Sequence, residues 1–288
     1  MAKFGRAYNL TWIPPEEEDV INVTMPLTMQ FNVNRSTMSS VNSAQIKIYN
    51  LDQKTRSRMF QDRFDLDLER RNSIILQAGY KNLSTIFQGD VFEAYSMRQG
   101  TEIITHMDCR DGGLDSSGTL TNTAIQKNTD IREMLSSLIS GFQNLKEGTI
   151  GNIEGSIKRP VVLDGNTFEL IKKYSDDNVF IDLEKVNILK DNETIEGVVP
   201  LINSETGLLN APRRRGAMVE IETIFEPRIV MGQILAVESK IQPEYDGQYK
   251  VIGVNHSGII SGAVGGQCKS KFTLLIGSKE AGGFQNVG

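Results

Sequence analysis

Apolar and polar residues alternate, one by one, through many short segments of this sequence. In residues 44–50, AQIKIYN, Ile46 and Ile48 share one face of an extended chain, while Lys47 and Tyr49 share the other. Similar segments, separated by turns that contain proline, asparagine or glycine, cover residues 6–13, 20–24, 27–35, 73–80, 84–97 and 101–110. This pattern predicts an antiparallel meander of half-buried β-strands in the first third of the chain.

Two local signals modify this meander. The alternation stops after residue 50, and Asp52 is suited to cap a short polar helix that runs to Met59 and Phe60. Gly89 lies inside the longest predicted strand, where a glycine indicates a bulge or a tight bend that curls a sheet towards a barrel. The first third is therefore predicted to be a curved sheet accompanied by one short helix.

The middle of the chain has a different period. After the glycine-rich stretch 111–120, Asp130 and Glu133 form a capping-box pattern, and apolar residues follow at helical spacing: Ile131, Met134, Leu135, Leu138, Ile139 and Phe142. A second helix is predicted to start near Thr167 and to bury Phe168, Leu170, Ile171 and Tyr174, with short strands at 179–183 and 186–189. The middle segment is therefore predicted to mix α and β structure.

Strand patterns return in the last third, at residues 218–225, 229–238, 248–256 and 270–276. Residues 85–109 and 247–276 share an outline, namely an aromatic residue, a long strand with an internal glycine, a glycine-bearing turn and a closing strand. This similarity predicts two related β-barrels. The predicted fold class is α+β, mainly β, with antiparallel β-barrel domains at residues 1–115 and 198–288 and a mixed helical and strand insertion at 116–197.

Charge and length exclude several classes of protein. The 288 residues include 31 Lys and Arg against 36 Asp and Glu, which provides no general basic field for holding a nucleic acid by its phosphates. The N-terminus lacks the apolar region of a signal peptide, and no segment approaches the roughly 20 apolar residues of a membrane span, so we expect no stable membrane anchoring. Cys109 and Cys268 are expected to be free, buried thiols, because a chain with its own cores needs no disulfide framework.

Histidine and cysteine residues give little indication of a metal site. His106 and Asp108 point the same way on one predicted strand beside Cys109, as two metal ligands could, but no second cluster of ligand spacing accompanies them. His256 is predicted to be a hydrogen-bonding turn residue at a strand end. We therefore expect no bound metal and no cofactor.

Catalytic motifs are also missing from the sequence. It contains no G-x-S-x-G elbow and no phosphate-binding loop. The paired carboxylates Asp65/Asp67 and Asp176/Asp177 fall in predicted loops, where acidic residues are usually only solvated. The sequence therefore predicts a protein that is not an enzyme, because no convergent set of catalytic groups is found.

Runs of like charge are the remaining candidates for recognition. Arg213, Arg214 and Arg215 follow a proline in a predicted loop and could grip an acidic partner surface or a nucleic-acid backbone. A solvated loop is the alternative interpretation. The acidic run 16–19 is predicted to be an exposed loop, with partner recognition as the alternative.

Two groups of motifs resemble the central baseplate hub proteins of contractile-tailed bacteriophages. The first group is IKIYNLDxxTR at 46–56, AGY at 78–80, IFxGDV at 86–91 and DCRDG at 108–112. The second group is ETGLLNAP at 205–212, FEP at 225–227, MG at 231–232 and GQYKVIGVNHSG at 247–258. Their order and spacing carry the resemblance over much of both β regions. Cys268 departs from it, because relatives often have a tryptophan there.

The resemblance implies a structural virion protein of the tail baseplate, assembled in the bacterial host cytoplasm. Three chains, each with two tail-tube-like barrels, would form a ring that adapts a sixfold tail tube to a threefold central spike. The implied partners are further copies of the chain in a homotrimer, the tail tube or a tube-initiator protein, the central spike protein and other baseplate proteins, with DNA passing through the lumen only as cargo. The alternatives are a distal tail or adaptor protein and, in a different class, a β-rich hydrolase of cell-wall glycan.

Overall fold

The computed structural model describes residues 5–15, 20–38, 41–64, 71–262, 265–277 and 284–287. The chain is 52% strand and 12% helix, which confirms that the fold is mainly β. The first third forms seven strands and one helix: β1 (Ala7–Ile13), β2 (Ile21–Thr24), β3 (Met29–Ser36), β4 (Asn42–Tyr49), α1 (Gln53–Arg58), β5 (Ser73–Gly79), β6 (Leu83–Gln99) and β7 (Glu102–Asp111).

The described residues of the rest of the chain add three α-helices, one short 3-10 helix and thirteen strands. The middle segment contains α2 (Gly113–Gly118), β8 (Leu120–Ile125), α3 (Ile131–Ile139), β9 (Lys146–Ile150), β10 (Val161–Asn166), α4 (Thr167–Tyr174), β11 (Val179–Asp182), β12 (Lys185–Ile188) and β13 (Glu193–Ile195). The last third contains β14 (Leu201–Ile202), β15 (Arg213–Arg215), β16 (Met218–Ile224), β17 (Ile234–Val237), a short 3-10 helix (Pro243–Tyr245), β18 (Gly247–Ile260), β19 (Cys268–Ile276) and β20 (Gln285–Val287).

Side chains that cap the helices account for where these begin. The Asp52 carboxylate accepts a hydrogen bond from the Thr55 amide at 3.0 Å, and Asp130 accepts one from the Arg132 amide at 2.7 Å. Asn166 caps α4 in the same way. Because each cap satisfies an amide that has no partner inside the helix, the predicted starts of all three helices are confirmed.

Some elements differ from the sequence-based expectation. Residues 113–118 form the helix α2 inside the glycine-rich stretch 111–120, for which the sequence predicted no element of secondary structure. Of the predicted strand 229–238, only Ile234–Val237 forms β17, whereas β18 extends beyond the predicted residue 256 to Ile260. The differences in β17 and β18 lie where turn residues and strand formers are mixed, so that pairing with distant strands decides where these two strands begin and end.

One large sheet runs through the first and last thirds of the chain. Eleven of its thirteen strands follow each other in the order β15, β16, β19, β18, β3, β4, β7, β6, β5, β1, β2, and β14 and β17 join it through β18. The long strand β18 makes this continuity possible. Its residues 247–250 pair with β17, a register shift follows, and its residues 253–260 pair with β3, which belongs to the first third.

The prediction of two separate β-barrels is not confirmed, since none of the sheets formed by the described residues is closed on itself. The physical reason is that β18 forms hydrogen bonds along one edge with β17 of the last third and with β3 of the first third. The two β regions are therefore joined in one sheet. Alternation along the sequence identifies strands, but it does not identify the neighbour of each strand.

Three hydrophobic cores lie beneath the sheet and in the middle segment. The first is built mainly from the first third, around Trp12, Phe31 and Phe87, and also takes in Phe225 from the last third. The second belongs to the middle segment, around the apolar faces of α3 and α4. The third is built from the last third together with Phe180 from β11. The cores therefore interlock the three parts of the chain, and both cysteines are free and buried, as predicted.

Gly89 lies between two irregularities of β6. The register of β6 shifts against β5 opposite Leu76 and Gln77, and against β7 between Val91 and Glu93. A Cβ atom at Gly89 would collide with the backbone carbonyl of Arg110. A bulged strand with a glycine at the close approach is thus present, as the sequence predicted.

Candidate functional site

One face of the large sheet is covered by the cores and the other is polar. Residues in cross-strand register share a face, and one such row crosses six strands: Glu222, Lys271, Asn255, Asn34, Ser43 and Arg110. We call this side of the sheet, from β16 to β7, the polar face. It presents amides, hydroxyls and charges of both signs, and its residues are exposed or half-buried.

Contacts within the polar face order its side chains. Lys269 forms an ion pair with Glu222 at 2.6 Å, and the Asn255 amide donates to Asn32 at 2.9 Å. At the border of the polar face, the ring of His106 in β7 stacks on that of Tyr95 in the neighbouring β6, with their centroids 5.2 Å apart. The polar face is therefore a continuous surface on which many polar and charged side chains are paired with each other, so that charge of one sign is not concentrated on it.

A groove of about 840 Å³ lies on the polar face where β16, β19, β18 and β3 meet. Asn34, Asn255 and Lys271 line it, and the segment 210–213 borders it. Most of the residues that line it are polar, and they include both carboxylates and cations. This arrangement fits contact with a hydrated or polar surface better than enclosure of an apolar ligand.

The arginine run lies at the edge of the large sheet. Arg213, Arg214 and Arg215 form the strand β15, which corrects the prediction of a loop. A two-residue turn joins β15 to β16, and Gly216 in it has φ +64, a conformation that glycine adopts without strain. The pattern of a strand, a glycine turn and a second strand was present in the sequence, but the charge of the run obscured it.

The edge position leaves the three arginines exposed. Arg215 forms an ion pair with Glu220 at 2.9 Å, and Arg214 donates to the Gly216 carbonyl at 2.9 Å. β15 pairs with β16 on one side and with no other described strand. An edge strand that carries cations resists indiscriminate pairing with other strands but remains able to accept a complementary one.

His256, the second of the two histidines, lies in the core, which corrects the prediction that it is a turn residue. His256 lies inside β18 and is fully buried, and its Nδ1 lies 2.8 Å from the Ser270 hydroxyl. Burial lowers the pKa of His256 well below its ordinary value, so the ring is neutral. Phe225 and Phe272 pack edge-on against it, which makes it a core residue.

The structure brings together no metal-binding or catalytic set from the predicted candidates. His106 and Asp108 share the less buried face of β7, as expected, but Cys109 points into the core. Among the described residues, no group of three His, Cys, Asp or Glu side chains is placed to hold a metal ion. Asp176 and Asp177 lie in an exposed turn after α4, while Asp65, Asp67 and the run 16–19 lie outside the described residues.

A buried polar junction that the sequence did not reveal joins the middle segment to the sheet. The turn between β11 and β12, residues 182–185, and the preceding Ile181 contact residues of β3, β4, β6 and β7 there. Asp111 at the end of β7 is fully buried, and burial raises the pKa of its carboxyl to about 7. No local pattern marks these residues, because they come from distant parts of the chain.

Residues 12–257 match a family model described as "Baseplate hub gp41". No curated protein sequence matches the chain. The 43 kDa tail protein of prophage MuSo2 from Shewanella oneidensis is similar in structure, with a TM-score of 0.62 at 9% identity over 93% of this chain and 96% of that one. The tail protein from Neisseria meningitidis MC58 has a TM-score of 0.63 at 7% identity, over 95% and 97% of the two chains.

A third similar structure is the E. coli c3393 protein, described as a component of the type VI secretion system with structural similarity to the T4 bacteriophage tail proteins gp27 and gp5. Its TM-score is 0.54 at 11% identity, over 91% of this chain and 76% of that one. At such identities the three structures show a common fold. None of the described helices has the length and apolar character needed to span a membrane.

Proposed function

Since this chain belongs to the baseplate hub gp41 family, we propose that three copies of it form a ring that joins the tail tube of a phage to its central spike. The family makes the chain a structural baseplate hub protein and a component of the phage tail. The ring, the number of copies and the partners are the proposed part. Assembly in the host cytoplasm, without stable membrane anchoring, belongs to the same proposal.

The open sheet is the observation that carries this proposal. It ends in β2 on one side and in β15 on the other, and both strands lack a second neighbour among the described strands. The two ends differ in sequence, so a contact between them would be heterologous, and repeated heterologous contacts close a ring when the rotation allows. Two β regions per chain in three chains provide six similar units for a sixfold tube, while the chains themselves keep threefold symmetry for the spike.

The division of the chain supports the same arrangement. We propose domains at residues 1–115, 116–197 and 198–288, with the two outer ones related as tail-tube-like barrels that complete themselves only in the ring. The three hydrophobic cores support this division, although Phe225 and Phe180 each pack into the core of another part. A superposition of the outer domains that fails in strand order would contradict it.

The polar face is proposed to line the channel of the ring, where DNA passes as cargo. Among the described residues, the opposite face of the large sheet is covered by the cores, so of its two faces the polar face is the one proposed to meet the contents of a lumen. Its amides and its paired charges of both signs, such as Lys269 with Glu222, provide hydration without a strong attraction for phosphates. DNA would therefore slide past it rather than bind.

Arg213, Arg214 and Arg215 are proposed to contact a partner at the edge of the sheet. Arginine forms bidentate hydrogen bonds with carboxylates, and an exposed edge strand can pair with a strand of another chain. The partners proposed for the whole particle are further copies of the chain, the tail tube or its initiator, the central spike and other baseplate proteins. A similar structure described as resembling the T4 tail proteins gp27 and gp5 supports this setting.

Light scattering after size exclusion tests the number of copies, and cryo-electron microscopy of the particle tests the ring. Three chains between a sixfold tube and a threefold spike are expected. Six whole chains in the ring would contradict the proposal and identify a distal tail or adaptor protein instead. The chain is also proposed to lack hydrolytic activity, and release of soluble fragments from purified cell-wall glycan would favour the β-rich hydrolase.

A further inference from the structure

Three arginine side chains surround one aromatic ring at the bulge of β6. Phe92 is the extra residue where the register of β6 shifts against β7. The guanidinium carbons of Arg63, Arg71 and Arg110 lie 5.5, 5.3 and 4.2 Å from the centroid of its ring. A contact with the face of a ring holds a guanidinium without a hydrogen bond, so the N–H donors stay available for carboxylates.

Two of these arginines, Arg63 and Arg110, are exposed and are not neutralised directly. Neither guanidinium forms a hydrogen bond or an ion pair with any of the described residues. Asp62, Glu93 and Asp108 come from the same part of the sheet and its neighbouring loop, but none of them forms an ion pair with either arginine. The N–H donors of both side chains are therefore open to carboxylates of another chain.

Exposed aromatic side chains border the same arginines. Phe60, Phe64 and Tyr95 are 60%, 84% and 42% exposed, whereas every other aromatic residue that the structure describes is buried or half-buried. Phe64 directly follows the first of the arginines, and the bridge between Gln61 and Ala94 brings Phe60 alongside Tyr95. Exposed arginine and aromatic side chains together are typical of the centre of a protein interface. We call this set the arginine–aromatic surface: Phe60, Arg63, Phe64, Phe92, Tyr95 and Arg110.

A loop of the last third, residues 239–246, has the complementary chemistry. Ile241 is 77% exposed, and the exposed Glu244 forms no hydrogen bond or ion pair with the described residues. Hydrogen bonds within the loop fix its shape, since the Asp246 carboxylate accepts from the Ser239 amide at 2.6 Å and the Ser239 hydroxyl accepts from the Gln242 amide at 3.2 Å. The loop therefore presents one apolar side chain and one unpaired carboxylate in a fixed arrangement.

We propose that the loop of residues 239–246 of one copy of the chain docks on the arginine–aromatic surface of the next copy. Ile241 covers the exposed phenylalanine rings, and the Glu244 carboxylate pairs with Arg63 and Arg110. Both halves of this contact are present in one chain, and each is exposed there, so a second copy satisfies both. The two halves differ, which makes the contact heterologous and able to repeat around a ring. This inference rests on the proposed ring and assigns residues to the contact between its copies.

Disulfide trapping in assembled particles tests this contact. With Phe64→Cys and Ile241→Cys in one chain, oxidation by copper phenanthroline should link neighbouring copies into covalent dimers and trimers on non-reducing gels, because both native thiols are buried. Phe64→Cys with Val162→Cys, a position 64% exposed in the middle segment, is the matched control and should give no such products. Linking that is absent, or equal to the control, would overturn the inference. A threefold ring in electron micrographs of the same particles would still support the proposed function.

Charge reversal provides a second measurement that needs no new cysteine. Arg63→Glu with Arg110→Glu should lower the yield of particles about tenfold, and adding Glu244→Arg should recover most of it, because opposite charges then meet again. Glu154→Arg changes the net charge equally at an exposed position of the middle segment and should recover nothing. Unchanged assembly of the arginine variant, or equal recovery with Glu154→Arg, would overturn the inference. A loss that Glu244→Arg does not restore would mean that another acidic protein, and not a second copy, occupies the surface.

Discussion

Two arginine–carboxylate pairs of similar length should differ in their effect on stability. The Arg35–Asp182 pair spans 3.0 Å with side chains 0% and 8% exposed, whereas the Arg215–Glu220 pair spans 2.9 Å with side chains 72% and 39% exposed. We predict that replacing one partner of the buried pair destabilises the chain strongly. The same change in the exposed pair should have little effect, because water replaces the lost partner.

The magnitude follows from what each variant leaves behind. Asp182→Asn leaves a buried guanidinium that cannot lose its proton, so the free energy of unfolding should fall by about 3–5 kcal/mol. Arg35→Met leaves a carboxyl that can bind a proton, so its cost should be smaller. Removing Arg35 raises the pKa of Asp182 further, and that cost should therefore grow as the pH rises from 5 to 8. Arg215→Met should leave the free energy of unfolding nearly unchanged, because both partners of that pair are exposed to water.

Urea unfolding, followed by circular dichroism at one protein concentration, provides the comparison. Replacing both buried partners, Arg35→Met with Asp182→Leu, should restore much of the stability, because no uncompensated charge remains. A cost below 1 kcal/mol for Asp182→Asn would refute the reasoning, as would an equal cost for Arg215→Met. A double variant less stable than Asp182→Asn would show that packing, and not charge, dominates at this position.

Three other predictions concern the edge, the polar face and the bulged strand. Replacing Arg213–Arg215 by serine should weaken particle assembly, while the circular dichroism spectrum and the melting temperature stay unchanged. Replacing them by lysine should retain part of the assembly. Full assembly of the serine variant would show that the run is only a solvated edge strand. In assembled particles, Asn34→Cys should be protected from a bulky maleimide, while Lys172→Cys on α4 should react, and the buried native thiols give little background; equal labelling would place the polar face outside the channel. Gly89→Val should lower the free energy of unfolding by about 1–3 kcal/mol in urea titrations, because its Cβ would meet the Arg110 carbonyl, and an unchanged midpoint would contradict this.

Local patterns were sufficient to identify most elements of secondary structure. The alternation in residues 44–50 corresponds to β4, and the capping residues Asp52 and Asp130 mark the starts of α1 and α3. The reason is that side-chain periodicity and helix capping depend on residues only a few positions apart. The absence of catalytic motifs and the ordered set of hub-like motifs were equally readable without the structure.

Pairing and burial were decided by tertiary structure. Residues 247–250 and 253–260 of β18 have one continuous strand pattern, yet they pair with β17 and β3, which are far apart in sequence. For the same reason, the strands of both β regions lie in one large sheet, and the two predicted barrels are not confirmed. His256 became a core residue because β18 crosses the middle of the sheet, whereas its position in the sequence was close to a glycine-bearing turn.

The sequence by itself determined that the chain is mainly β, where α1, α3 and α4 begin, that both cysteines are buried, and to which family it belongs. Only the tertiary structure decided that β15 is an edge strand and that Asp111, Arg35 and Asp182 meet in one buried junction. Strand and helix formation follow short-range preferences that each segment carries. The neighbours of a strand, and the cost of a buried charge, depend on residues that folding brings together from more than a hundred positions away, so no local pattern contains them.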